Sequence, residues 1–190
     1  MRKVVSTNIW NSLPINVPSA KRGCFEEILE ARYQQMRAFL SHHSRMFYIR
    51  LDIRINEYTP DNKLISDFMR KFIKRLKRHY KLTRVGYCWV REIEKAKQQH
   101  YHLELYLDGH KVRGFKYVVK IAQEIASGWD WPSPWQPKNC YTKVINEDDF
   151  KKAFYRGSYL AKTRGKNYKG KTSRNFGSSQ IRCVEVNDAL

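Results

Sequence analysis

The 190 residues, 42% of them hydrophobic, suffice for one well-packed domain, and 37 Lys plus Arg against 18 Asp plus Glu leave a formal net charge of +19. The sequence pI of about 9.9 implies attraction to polyanions, with DNA preferred over membranes. No apolar run is long enough to span a bilayer, and Met1 to Pro18 lacks the apolar stretch of a signal peptide. The four cysteines, Cys24, Cys88, Cys140 and Cys183, have no Cys-x-x-Cys spacing; they suggest neither a zinc ribbon nor a disulfide framework, and fit reduced thiols in a cytoplasmic protein.

In chain order, an N-terminal arm, Met1 to Gly23, carries Pro14 and Pro18 and precedes a helix from about Phe25 to Leu40, with Phe25, Ile28, Leu29, Met36 and Leu40 on one side. A strand near Met46 to Asn56 follows. From about Asp61 to Tyr80, Leu64, Ile65, Phe68, Met69, Phe72, Ile73, Leu76 and Tyr80 keep a helical period. Arg70, Lys71, Lys74, Arg75, Lys77 and Arg78 cover its outside, as a solvated face or, alternatively, a contact for DNA backbone. Arg84 to Glu94 is rich in strand formers. The polar Lys95-Ala96-Lys97-Gln98 then makes a hairpin connection to a second strand through Leu107. A helix near Phe115 to Ser127 precedes Trp129-Asp130-Trp131-Pro132-Ser133-Pro134-Trp135, whose indoles read as loop or core packing, with stacking on unpaired bases as the alternative. A short strand near Tyr141 to Ile145 leads into a helix capped by Asn146, acidic in its first turn and continuing to about Lys162. The order β-α-β-β-α-β-α predicts an α+β fold: an antiparallel central sheet with helices packed on one face, ferredoxin-like in plan.

Two constellations carry chemistry. Successive strand side chains alternate faces, so His100, His102 and Glu104 share one face while Tyr101, Leu103, Leu105 and Leu107 read as core. An antiparallel pairing across the hairpin brings Glu92 opposite or near His102 on that face. Two imidazoles and a carboxylate suit a divalent ion, Mn²⁺ or Mg²⁺ rather than Zn²⁺, with positions left open; Glu94 and Glu104 are the reserve ligands. In the last helix, Phe150, Ala153, Phe154, Gly157 and Ala161 form the apolar stripe, whereas Tyr155, Tyr159 and Lys162 lie on the far side. Two phenols and an ammonium so placed can offer nucleophiles to a phosphate and neutralise its charge. Read singly, each constellation also has a bland account, as satisfied histidines or as surface tyrosines.

Gly165-Lys166-Asn167-Tyr168-Lys169-Gly170-Lys171-Thr172 satisfies the P-loop pattern. Its context is wrong, because it follows a helix and enters a turn-rich segment. It is read as a basic loop near nucleic acid, and no ATP is expected.

Together the motifs resemble one family. His100-Tyr101-His102 is similar to the His-hydrophobic-His signature of HUH endonucleases, with Tyr101 where an aliphatic residue is more usual. Tyr155-Arg156-Gly157-Ser158-Tyr159-Leu160-Ala161-Lys162 resembles the Tyr-x-x-x-Tyr-x-x-Lys motif of two-tyrosine rolling-circle replication initiators. Phe47 to Arg54 is similar to the first strand of that group, and Arg174-Asn175-Phe176-Gly177-Ser178-Ser179 to a tail of its YagK/YfjJ and filamentous-phage replication-protein branch. The resemblance covers about Met46 to Gln180. It implies an N-terminal arm and helix over 1–45, an endonuclease domain over 46–180 and a tail over 181–190. It also implies that His100, His102 and Glu92 hold Mn²⁺ or Mg²⁺, that Tyr159 is the principal nucleophile and Tyr155 the second, and that Lys162 holds the scissile phosphate. The expected activity is nicking and rejoining of DNA at the origin of a phage, satellite or plasmid genome, with host replication proteins recruited afterwards. A nickase aimed at a competing replicon, a relaxase or transposase, and a non-catalytic DNA-binding regulator are the alternatives.

Overall fold

The computed structural model of the protein describes residues 2–19, 22–56, 58–93, 99–166 and 174–184. The N-terminal arm carries four two-residue strands, β1 (Val4–Val5), β2 (Ile9–Trp10), β3 (Leu13–Pro14) and β4 (Cys24–Phe25), paired as β1 with β4 and β2 with β3. Then come α1 (Glu26–His42), β5 (Met46–Arg54), α2 (Lys63–Tyr80), β6 (Gly86–Ile93), β7 (Gln99–Asp108), α3 (Lys116–Ser127), β8 (Tyr141–Val144), α4 (Glu147–Ser158) and β9 (Phe176–Ser178). A five-stranded sheet, in the order β8-β5-β7-β6-β9, is antiparallel at every pairing. The fold is α+β, as the element order predicts.

The helices cover both faces of the sheet, not the single face expected. Phe47, Ile49 and Leu51 of β5 and Leu103 and Leu105 of β7 pack under α2 and α3. Met46, Tyr48 and Tyr106 pack under α1 and α4, together with Trp10, Leu13 and Ile15 of the arm. The reason is visible in β5, where Met46, Phe47, Tyr48 and Ile49 are all buried in succession. A strand apolar on both faces needs a layer on each side.

Each helix follows from its stripe. Ile65, Phe68, Met69, Phe72 and Leu76 are the buried positions of α2, and each large side chain so buried contributes roughly 1.5–3 kcal/mol. The helix stops where Lys81 turns left-handed, with φ of 53°. In α4, Asn146 Oδ1 accepts from Asp149 N at 2.9 Å, the expected cap.

The Phe176–Ser178 strand was not expected, since Phe-Gly-Ser is weak in strand formers. Gly177 lies against the Trp89 indole, where a Cβ would clash, so the edge strand closes on that ring only because the residue is glycine. No described helix is long and apolar enough to cross a membrane.

Candidate metal centre

In β7 the face that carries Glu104 and Tyr106 beneath α1 continues to His102 and His100 at the strand end. Glu92 of β6 pairs directly with His100 in the ladder, two pairs from Val90, which stands opposite His102, and so on the same face as both imidazoles. Glu92 Oε2 is 3.3 Å from His102 Nε2 and 3.6 Å from His100 Nε2. Ligand atoms of the three side chains all lie within 4.8 Å of one another, so the group could hold a metal ion. The donor set fits: His102 Nε2 is buried and, though near Glu92, makes no hydrogen bond. An unpaired ring nitrogen facing a carboxylate is what a shared cation, a proton or a metal ion, would satisfy.

Asp52 explains the ring's orientation. It is directly opposite His102 in the β5–β7 ladder, and its Oδ1 lies 2.7 Å from His102 Nδ1. A carboxylate there can only accept, so an Nδ1–H donated to Asp52 would leave Nε2 to face Glu92, the outer support that ligating histidines ordinarily have. Arg50 flanks the pair, with Nη2 3.2 Å from His102 Nδ1 and Nε 3.2 Å from Asp52 Oδ1. Burial would lower the affinity of His102 for a proton, but its contacts with Asp52 and Glu92 more than offset this and raise it. Burial likewise works against the Asp52 carboxylate, yet His102 and Arg50 keep its pKa below the usual value. Sequence reasoning missed Asp52, although a lone acid at an alternating position of an apolar strand was the available signal.

Lys162 Nζ is 3.2 Å from Glu92 Oε2 and Lys166 Nζ is 3.0 Å from Oε1. Four nitrogens thus surround one carboxylate. Burial alone would push Glu92 towards the neutral acid, but its contacts with His100 and His102 and the charge of Lys166 hold it far below the carboxylate range. For Lys166 burial wins, and the ammonium is held less firmly than usual despite Glu92. Lys166 also donates to Lys162 O at 2.6 Å, which fastens this turn over the site.

Lys162 Nζ sits 4.4 Å from the centre of the Tyr159 ring, so Tyr159 stands beside the ammonium that touches the triad. The helix expected to reach Lys162 ends at Ser158, and Tyr159–Ala161 form a 3-10 turn. The cause is the arm: Lys162 pairs with Cys24 in an isolated bridge and Thr163 N donates to Gly23 O, which pulls the chain into extended conformation. Tyr155 is 44% exposed, and no described contact ties it to the triad. Phe150, Ala153, Phe154, Gly157 and Ala161 are buried as the apolar stripe.

The reserve ligands do not join the site. Glu104 is fully engaged elsewhere, bound by Arg32 Nε at 2.6 Å and Nη2 at 3.0 Å and by the Tyr48 hydroxyl at 2.5 Å. Glu94 and the Lys95–Gln98 connection fall outside the described residues, as does 167–173 of the P-loop lookalike. Its Gly165 and Lys166 lie against Glu92.

A cleft of about 630 Å³ opens beside the triad, lined by Asp52, Arg54, Gln99, His100, His102 and Trp135 among others. Trp129 and Trp131 instead pack on Phe68, the expected use of those indoles. Residues 11–131 match the YagK/YfjJ C-terminal domain family. No curated protein and no solved structure matches the chain.

Proposed function

The chain belongs to the YagK/YfjJ C-terminal domain family, and from that premise and the site we propose a metal-dependent DNA nickase that uses Tyr159 as nucleophile and initiates rolling-circle replication. The observation that carries the reading is convergence. Lys162, three residues after Tyr159, touches both the Tyr159 ring and the carboxylate of Glu92, so a tyrosine and a candidate metal triad from distant segments meet at one point.

Glu92, His100 and His102 would hold Mn²⁺ or Mg²⁺. When bound, such an ion polarises a non-bridging phosphate oxygen and stabilises the charge that develops in the transition state. The protein's own groups do the rest. A phenol with an ordinary pKa near 10 is a weak nucleophile at neutral pH, and the Lys162 ammonium beside Tyr159 stabilises the phenolate as its proton leaves. Attack of the phenolic oxygen on phosphorus forms a 5′-phosphotyrosyl bond and breaks the bond to the 3′ oxygen, which takes up a proton as a free 3′-hydroxyl. One phosphodiester is exchanged for another, so rejoining needs no nucleotide. Tyr155, exposed one turn earlier, serves a second transfer.

One observation favours a second reading. Glu92 is already neutralised by Lys162 and Lys166, so the cluster could be an ion-pair hub in a non-catalytic DNA-binding regulator. A denaturing gel of labelled single-stranded origin DNA incubated with Mn²⁺ separates the two. A covalent protein–DNA adduct is expected for the wild type and for Tyr155→Phe, and none for Tyr159→Phe. Cutting without an adduct would mean hydrolysis, an adduct on Tyr155 would exchange the two tyrosines, and no cutting in any metal would leave the regulator.

A further inference from the structure

Trp135 is 59% exposed, an unusual position for the largest apolar side chain in a protein whose other described tryptophans are packed. It is held rigidly. Trp135 N donates to Asp52 O at 2.9 Å and Asp52 N donates to Trp135 O at 2.8 Å, forming an isolated antiparallel bridge to the edge of β5. Pro132 and Pro134 fix the chain just before it, and Pro134 is buried. Directly opposed residues of antiparallel strands project to the same face. Trp135 therefore stands on the face that carries Asp52 and, one strand further, His102. The indole lines the cleft that also exposes His100 and His102, with Arg54, the ladder partner of His100, at its side.

We propose that Trp135 is a stacking platform for one unpaired nucleobase of a single strand, seated in this cleft with Arg54 contacting the neighbouring phosphate. The proposal deepens the nickase reading and rests on it for the position of the scissile phosphate. Several observations favour a base over a protein side chain. The cleft volume of about 630 Å³ falls in the range of roughly 300–1,000 Å³ typical of small-molecule sites. The lining offers an aromatic face beside an exposed arginine, the pairing that single-strand binders use, and the chain is a polycation of net charge +19. A base paired in a duplex has no free face to offer. Because the bridge ties Trp135 to Asp52, and Asp52 orients His102, the stacked base is indexed to the triad, so this subsite selects which phosphate is presented to it.

The test separates binding from chemistry. A short fluorescein-labelled oligothymidylate is titrated in EDTA, so that no cleavage occurs, with affinity read by anisotropy and the environment of Trp135 by intrinsic fluorescence. The wild type should show quenching on binding that Trp135→Phe largely loses. Trp135→Ala should weaken affinity on the order of 10- to 100-fold, with unchanged circular dichroism and melting. A series of oligonucleotides with one abasic nucleotide each should reveal one position to which the wild type is sensitive and Trp135→Ala is not. Affinity of Trp135→Ala within about twofold of wild type, no sensitive abasic position, or an equal dependence on Trp135 with duplex DNA would each overturn the proposal. If Trp135→Ala binds normally while the wild type forms its covalent adduct, the subsite fails and the nickase stands. If binding depends on Trp135 but no adduct forms with metal, the reverse holds.

Discussion

Glu92 is where the competing interpretations meet, because its two oxygens are shared among His100, His102, Lys162 and Lys166. A divalent ion held by the triad would compete with the Lys162 contact on Glu92. It would free Lys162 to turn towards a phosphate, so that metal and anionic substrate favour each other. Metal binding to the folded state alone stabilises it by about 2.7 kcal/mol at a hundredfold excess over Kd, which for a chain of this size is a rise in Tm of roughly 5–10 °C. We expect that rise with Mn²⁺ in the wild type and its absence in His102→Ala, by calorimetry. An identical rise in the variant would remove His102 from the ligand set. Asp52→Ala should keep the ligands but release the ring, weakening Mn²⁺ affinity by about 10- to 100-fold. Titration calorimetry checks this, and an unchanged affinity would reduce Asp52 to a packing role.

Between β7 and α4 lies a buried linkage. Arg32 of α1 grips Glu104 of β7 through two hydrogen bonds, and Tyr48 and Tyr106 donate to the same carboxylate. Burial and the adjacent Glu104 push both phenols to higher pKa, which keeps them donors. The helix α4 crosses this cluster at Gly157, where a Cβ would collide with Arg32 Nη2 and Glu104 Oε1. Gly157→Ala must therefore either break a buried ion pair, which costs about 3–5 kcal/mol, or lift α4. Urea denaturation should show a loss of about 3 kcal/mol or more, despite the better helix propensity of alanine; a neutral result would mean that α4 is not seated as described. The same cluster shows where sequence reasoning stops. The periods of 3.6 and 2 placed α1, α2, β5 to β7, α3 and the start of α4, because each buries apolar side chains of its own. Arg32 interrupts one such stripe and Glu104 another, and only their meeting in space makes either burial tolerable. The arm's short pairings, the Phe176–Ser178 edge strand, Asp52 and Lys166 escaped for a related reason. Their partners are far along the chain, and no local pattern records them. The grouping of Glu92, His100 and His102 was readable because strand alternation is local, whereas the helical spacing expected of Tyr159 and Lys162 is not kept past Ser158, where pairing with the distant arm redirects the chain.

Across the whole molecule the two sheet faces have different characters. One carries the triad, Lys162 and the cleft; the other is covered by α2 and α3, with Arg70, Lys71, Lys74, Lys77 and Arg78 of α2 exposed to solvent. A net charge of +19 would attract DNA to either face, so affinity alone cannot say which face a strand follows. Salt dependence can. Each single-strand phosphate neutralised contributes about 0.7 log unit of affinity per decade of salt. Contacts removed from the path of the strand lower that slope, whereas charges off the path do not. A strand that stacks on Trp135 and presents a phosphate to Lys162 runs over the triad face. Replacing Lys74, Lys77 and Arg78 by Gln should therefore leave the single-strand slope within about half a unit of wild type, while Arg54→Gln should lower it by about 0.7. Fluorescence anisotropy over a decade of NaCl, in EDTA, gives both slopes. A drop of two units or more in the α2 variant would move the strand to the opposite face. A flat dependence in the wild type would mean that the basic residues serve a partner other than nucleic acid.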